Sequence, residues 1–356
     1  MLTVELYAII SSEKTVLEFL QKNKLLPQNN ETNLCHKCHG ETKMYMRKKR
    51  LATGEIREIS TIRCITKGCQ TYKSIRSTNG FFTYTDLNAR CNSNLSLGQI
   101  LELINYWSQD LPIKTVSDLT GRSNATIVDW FNLCRDVCCL LFEKREKMGG
   151  QNIVVQIDES LLRGRRKYNR GRLLLGDLRH EQVQDNSADF HSDSDQENQI
   201  NLANSPTSNR NYGRRLEEPW IFGLCSKIGD NLERRFFVVE KRDRETLIPI
   251  IKKEILPGSI IMSDEWRAYS CYKNIGYDHR TVNHSKNFVD PTTGAHTQAI
   301  ECSWGVLKTK ILRKMHGTSA EMLPRHLIEA WYRSINRQDT IFFKFLSDVQ
   351  KVYCQT

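Results

Sequence analysis

Apolar and polar positions follow two different rhythms along this chain. Before about residue 150, helical spacing dominates, with one alternating interlude. Residues 1–27 read as helical, with Leu17, Leu20, Leu25 and Leu26 on one face, until LPQNNETN breaks the pattern. Residues 34–85 contain the alternating segments TKMYMRKKR and EIREISTIRC, joined by the turn signal LATGE, and predict β-hairpins. LSLGQILELINYWSQDLP predicts a helix, with Ile100, Leu103, Ile104 and Trp107 in register and Pro112 as a stop. A short helix, a turn at Thr120–Ser123 and a longer helix ended by Gly149 and Gly150 follow.

Beyond residue 150, short apolar runs alternate with amphipathic segments, the signature of an α/β domain. NIVVQIDES, PWIFGLCSK, RRFFVVEK and SIIMSD read as strands. RETLIPIIKKEIL, HTQAIECSWGVLKTKILRKM and LPRHLIEAWYRSINR read as helices. Residues 178–213 are acidic and rich in Ser, Asn and Gln, and predict a disordered insert. The expected organisation is therefore an N-terminal helix at 1–30, a cysteine-bearing β-rich domain at 31–85, a helical domain at 95–148, and an α/β domain at 151–345.

Charge adds a partner to this picture. The 356 residues carry a net charge of +11, which favours a polyanion such as nucleic acid. No apolar run approaches the roughly 20 residues that span a bilayer. The N-terminus lacks a basic region and a small-residue cleavage site, so a helix is expected there and not a signal peptide. With no secretory signal, the twelve cysteines predict no disulfide framework. Cys134, Cys138 and Cys139 fit a helix facing a core.

Three constellations carry chemistry. Cys35-His-Lys-Cys38 and Cys64-Ile-Thr-Lys-Gly-Cys69 are two close pairs separated by a β-rich stretch, the spacing of a tetrahedral structural Zn²⁺ site. His36 and His39 are alternative ligands, and two unrelated pairs of buried thiols are the alternative reading. TVSDLTGRSNATIVDWF fits a helix-turn-helix, with Val116, Leu119, Ile127, Val128 and Phe131 inside. Arg122, Ser123, Asn124 and Thr126 then stand at the start of the second helix, where base edges and phosphates are met. An ordinary helical hairpin gives the same pattern.

The third constellation is acidic. Asp158 and Asp264 each end an apolar strand, and Glu301 lies early in a helix. Taken singly they are a turn residue, a helix cap and a surface charge. Converged, three carboxylates repel unless they surround hard divalent cations, which take oxygen ligands. Two Mg²⁺ (or Mn²⁺) ions would then serve phosphodiester chemistry. Glu159 and Glu265 are adjacent acids, which strand alternation turns elsewhere. Arg163, Arg165 and Arg166 follow the first acid. Trp304 and Lys308 lie near the face of Glu301 at helical spacing, placed to meet DNA. His284 and His296 precede that helix.

QIDES, MSDEWRAY and HTQAIECSWGVLK, preceded by the paired cysteines and KSIRSTNGFF, resemble the Merlin family of DNA transposases, eukaryotic relatives of bacterial insertion-sequence transposases. The resemblance runs from about Cys35 to Arg337, and Asp264 and Glu301 stand 37 positions apart, close to the family's spacing. It implies a multidomain α/β protein: a zinc ribbon and helix-turn-helix DNA-binding front end, then an RNase H-like catalytic domain whose Asp-Asp-Glu triad is Asp158, Asp264 and Glu301. It further implies binding of terminal inverted repeats and target DNA, strand transfer with two Mg²⁺, a homodimer or larger synaptic complex, and nuclear localisation. No membrane and no small-molecule substrate are expected. Gln298 stands where the family often has Asn, and the acidic insert is larger than the family's pattern leads one to expect. A domesticated, non-mobile DNA-binding protein that keeps the fold is the alternative.

Overall fold

The computed structural model describes residues 3–28, 34–50, 54, 56–83, 95–162, 220–264, 276–283 and 288–354. The sequence readings on Arg163, Arg165, Arg166, Glu265, His284 and the 178–213 insert lie outside the described residues. So do Cys91, Cys271 and the segment following Asp264. Met1–Leu162 and Pro219–Thr356 form one compact unit.

The N-terminal stretch is two helices and not one, α1 (Thr3–Ile10) and α2 (Glu13–Lys22). Ser12 causes the break. Its hydroxyl accepts from the Thr15 amide while Thr15 caps the Ser12 amide in return, so a new helix starts there. Leu17, Leu20, Leu25 and Leu26 are all buried, the last two beyond the end of α2.

β1 (Thr42–Arg50), β2 (Ile56–Cys64) and β3 (Tyr72–Ser74) form an antiparallel three-stranded sheet in that order. The helices α3 (Leu97–Ser108), α4 (Ile113–Thr120) and α5 (Asn124–Glu143) follow. Pro112 opens α4 and does not end α3, consistent with its fixed φ at a helix start. The long helix stops at Glu143, six residues before the glycines expected to end it.

A second sheet combines β4 (Val154–Leu161), β5 (Trp220–Ile228), β6 (Asn231–Val239), β7 (Ile260–Asp264) and β8 (Asp278–Val282). Its order is β6-β5-β4-β7-β8. The β6-β5-β4 pairings are antiparallel; β4-β7 and β7-β8 are parallel. α6 (Arg244–Glu254) crosses from β6 to β7, its first turn capped by the Asp243 carboxylate. One face, with Val155, Ile157, Phe222, Leu224 and Ile261, packs with Leu247 and Ile251 of α6. The opposite face, with Ile221, Cys225 and Phe236, takes α7 (Gln298–Lys308) through Ile300, Trp304 and Leu307. A π-helical turn at Thr309–Lys314 continues α7.

α8 (Leu323–Ile335) and α9 (Ile341–Tyr353) close the chain. Trp331 and Tyr332 of α8 and Phe342, Phe345 and Val349 of α9 share one apolar core with α2, α3 and α5. The C-terminal helices therefore complete the core of the N-terminal helical layer. Among the described residues, no helix is long and apolar enough to cross a membrane.

Candidate active site

Asp158 lies near the end of β4, where the apolar run stops. The parallel ladder pairs Val154 with Ile260, Val155 with Ile261 and Gln156 with Met262. The ladder ends there; Asp158 and Asp264 each stand two residues beyond its last pair, at corresponding positions on the two strands. Alternation then gives both side chains the same face, on strands about 4.8 Å apart. Glu159 falls one residue later and belongs to the opposite face.

α7 lies over the Asp158 face, and three local features hold it there. Gln156, only 5% exposed, sits two positions before Asp158 on the same side of β4. Its Oε1 accepts from the backbone amides of Ala299 and Ile300, at 2.9 and 3.1 Å. These amides belong to the first turn of α7, where donors have no partner inside the helix. The Gln156 amide nitrogen lies 3.1 Å from Nδ1 of His296. The second feature is Gly223, which pairs with Asp158 across β4-β5. A Cβ at Gly223 would lie 2.6 and 2.7 Å from the Trp304 ring and 3.0 Å from Ile300. Glycine lets the helix approach that closely. Third, the indole Nε1 of Trp304 donates to Oδ2 of Asp158 at 2.8 Å. Trp304, expected from its spacing to meet DNA, is thus buried in the sheet–helix seam with its indole turned to Asp158.

Glu301 follows in the first turn of α7, exposed, and accepts from the Thr297 hydroxyl at 2.8 Å. Asp264 and Glu301 both act electrostatically on Asp158. Burial pushes the Asp158 carboxyl up to about 7; the Trp304 bond opposes this, and the charges of Asp264 and Glu301 add to the rise. Such a donor set fits hard divalent cations, whose charge would favour the ionised acids. Lys308 is half-buried at the end of α7. Lys310 turns instead to Asp110 and Glu329, at 2.9 and 3.0 Å.

The cysteines gather as a second centre. The Sγ atoms of Cys35, Cys38, Cys64 and Cys69 all lie within 4.8 Å of one another. Cys38 and Cys64 are 3.4 Å apart, Cys35 and Cys69 3.8 Å. Zinc–thiolate bonds of 2.3 Å in a tetrahedron separate sulfurs by about 3.8 Å, so the set fits Zn²⁺. His36 and His39 stand outside this group of four. The Thr71 hydroxyl and amide favour the Cys69 thiolate and draw its pKa down to about 6. Gly40 lets the two cysteine turns meet, since a Cβ there would lie 1.9 Å from the Thr66 hydroxyl.

The helix pair α4–α5 turns at Gly121, in the left-handed region at φ +66°. Ser123 caps α5 by accepting from the Thr126 amide at 3.2 Å, and Ser123 and Asn124 are exposed. Val116, Ile127 and Phe131 are buried, but Leu119 is 61% exposed and Val128 only partly covered. α4 is only eight residues long, and its single buried position is Val116. Arg122 is committed elsewhere: its guanidinium pairs with Glu102 of α3 at 2.7 Å, both side chains nearly buried. It ties the turn to α3, leaving Ser123, Asn124 and Thr126 at the start of α5.

Sequence reasoning missed Gln156, Gly223 and Thr297, and it singled out His296 without its bond to Gln156. The signals were present: Gln156 has the parity of Asp158, and Gly223 interrupts an otherwise apolar strand.

Residues 197–334 match the family model of the ISXO2-like transposase domain. The matched range contains Asp264 and Glu301 and begins after Asp158. An "Uncharacterized transposase-like protein" of Haemophilus influenzae is 29% identical over 101 residues, 28% of this chain and 80% of that protein. Both findings support a transposase family.

Proposed function

We propose that the chain is a DDE-type DNA transposase that binds terminal inverted repeats, cuts DNA at the element ends and joins them to a target. The observation that carries this reading is the parallel pairing of the strands that carry Asp158 and Asp264, with the first turn of the Glu301 helix fastened to Gln156 of the first strand. The sheet order, three antiparallel strands followed by two parallel ones, agrees with an RNase H-like core. The transposase-domain match and the net charge of +11 point the same way.

Asp158, Asp264 and Glu301 would hold two Mg²⁺ or Mn²⁺ ions. When bound, such ions activate an attacking oxygen and stabilise the leaving oxygen of a phosphodiester. The protein's own work is positional. Strand ends fix the two aspartates, Gln156 anchors the first turn of α7 and with it Glu301, and Trp304 sets the orientation of Asp158. Lys308, two helical turns beyond Glu301, is placed for a phosphate. Cleavage by water frees a 3′-hydroxyl, which then displaces an oxygen of the target strand by the same in-line geometry.

Zn²⁺ on the four cysteines would be structural, since so small a sheet has little core of its own. Ser123, Asn124 and Thr126 at the start of α5 would contact the element ends, with Arg163, Arg165 and Arg166 as further contacts. The closer kinship is with Merlin-type elements, which entails nuclear action and pairing of two ends by a dimer or larger assembly. The test is a strand-transfer assay with Mg²⁺ and candidate element ends. Wild type should join them; Asp264→Asn should bind but not cut. Loss of binding in that variant would make Asp264 structural and refute its assigned role.

A further inference from the structure

The three-stranded sheet has two unlike faces. Cross-strand pairing runs Lys43 to Arg63 and on to Tyr72, and Tyr45 to Thr61 and on to Ser74. Arg47 follows Tyr45 on the same side by the two-residue alternation. The other side carries Met44, Ile62 and Cys64, which turn to the core and the cysteine cluster. The first side faces solvent: Lys43, Arg47 and Arg63 are exposed, Tyr45 is 45% exposed and Tyr72 54%. No strand position on it holds Asp or Glu; Glu58 pairs with Lys48 on the opposite side.

Two of the cations on this face are ordered. The Arg47 guanidinium lies 4.4 Å over the Tyr72 ring, which keeps it spread along the sheet. Arg63 donates through Nη2 to the Gln70 amide oxygen at 2.9 Å, one of the five donors a guanidinium has. Beside them runs a shallow groove lined by Tyr45, Arg63, Cys64, Ile65 and Gln70. Lys43 and Arg47 are about 13 Å apart along the strand at 3.3 Å per residue.

We propose that this face, Lys43, Tyr45, Arg47, Arg63 and Tyr72, grips the DNA backbone, with the tyrosines against sugars or unstacked bases. The proposal rests on the transposase reading and adds to it a second DNA surface, which holds without selecting sequence. Charge complementarity carries it: three exposed cations, two of them ordered, and two exposed aromatic rings, with no acid at the strand positions of this face. Phosphate contacts fix position, whereas base contacts specify sequence. This face should therefore contribute affinity about equally to all sequences, leaving discrimination to the start of α5.

The test substitutes Lys43→Gln, Arg47→Gln and Arg63→Gln together in the full zinc-loaded chain. Binding is measured against salt on an element-end duplex and a scrambled duplex. The slope of log affinity against log salt should become shallower by about 2.7, or 0.9 per lost phosphate contact. The loss should be equal on both duplexes. Each single substitution should shift the slope by about 0.9, which keeps the test intact if the triple variant loses zinc or folds poorly. Tyr45→Ala should weaken a single-stranded probe more than a duplex. An unchanged slope in variants that keep zinc, while wild type still joins ends, overturns this proposal alone. A shallower slope with no strand transfer by wild type overturns the transposase reading and leaves the DNA-binding face standing. Wild type that binds no DNA overturns both.

Discussion

Replacing Asp158 by Asn should make the protein more stable and inactive. The Asp158 carboxyl is raised from 3.8 to about 7, first by burial and further by Asp264 and Glu301. A folded pKa above the unfolded one means the folded state holds the proton more tightly. Stability from this group is complete below about pH 4, drains away as pH rises, and is gone above about pH 7. At 1.36 kcal/mol per pH unit the full penalty is ~4 kcal/mol. Partial solvent access at this half-buried site brings the expectation to about 2–4 kcal/mol. Asn keeps an oxygen to accept from the Trp304 indole, so the packing of α7 is retained. Urea unfolding without added Mg²⁺ should show Asp158→Asn gaining on wild type from pH 5 to pH 8, by about that amount at pH 8. Adding Mn²⁺ at pH 8 should raise wild-type stability and leave the variant unmoved. A gap that does not widen with pH, or a variant less stable than wild type at pH 8, would refute the reasoning.

Gln156→Met keeps the shape of the side chain but leaves the Ala299 and Ile300 amides without an acceptor, whereas Gln156→Glu keeps one. The Met variant should need at least tenfold more Mn²⁺ for half-maximal cleavage with end binding unchanged, and the Glu variant should be closer to wild type in a metal titration. Arg122→Ala should cost about 1–3 kcal/mol by leaving the nearly buried Glu102 carboxylate with only the long Tyr106 hydroxyl bond, with sequence discrimination in binding competition unaltered. Asn124→Ala should do the reverse, relaxing discrimination with little loss of melting temperature. Cys38→Ser should reduce bound zinc by elemental analysis and impair end binding; normal metal content in that variant would remove the zinc site.

Elements with strong periodicity were legible in the chain: the strands around Asp158 and Asp264, the helix around Glu301, and the α3 core positions. The cysteine cluster was legible because metal-ligand spacing is local, two pairs in two turns. What escaped reading was tertiary. The break between α1 and α2 turns on one serine cap that apolar counting does not see. α9 carries Phe342, Phe345 and Val349 into the N-terminal core, a long-range pairing that no local pattern announces. Arg122 and Trp304 have chemistry suited to DNA, and each found a carboxylate inside the protein instead. Side-chain type alone cannot separate those outcomes, because the partner is distant in sequence: Glu102 on another helix, Asp158 on a strand.

The central claim is that Asp158, Asp264 and Glu301 form one cation cradle. Anomalous diffraction from Mn²⁺-soaked crystals of the full chain tests it most directly. Two peaks about 4 Å apart, ligated by the two aspartates and Glu301, are expected. Manganese found only elsewhere, or the three carboxylates pointing to separate surfaces, would contradict it.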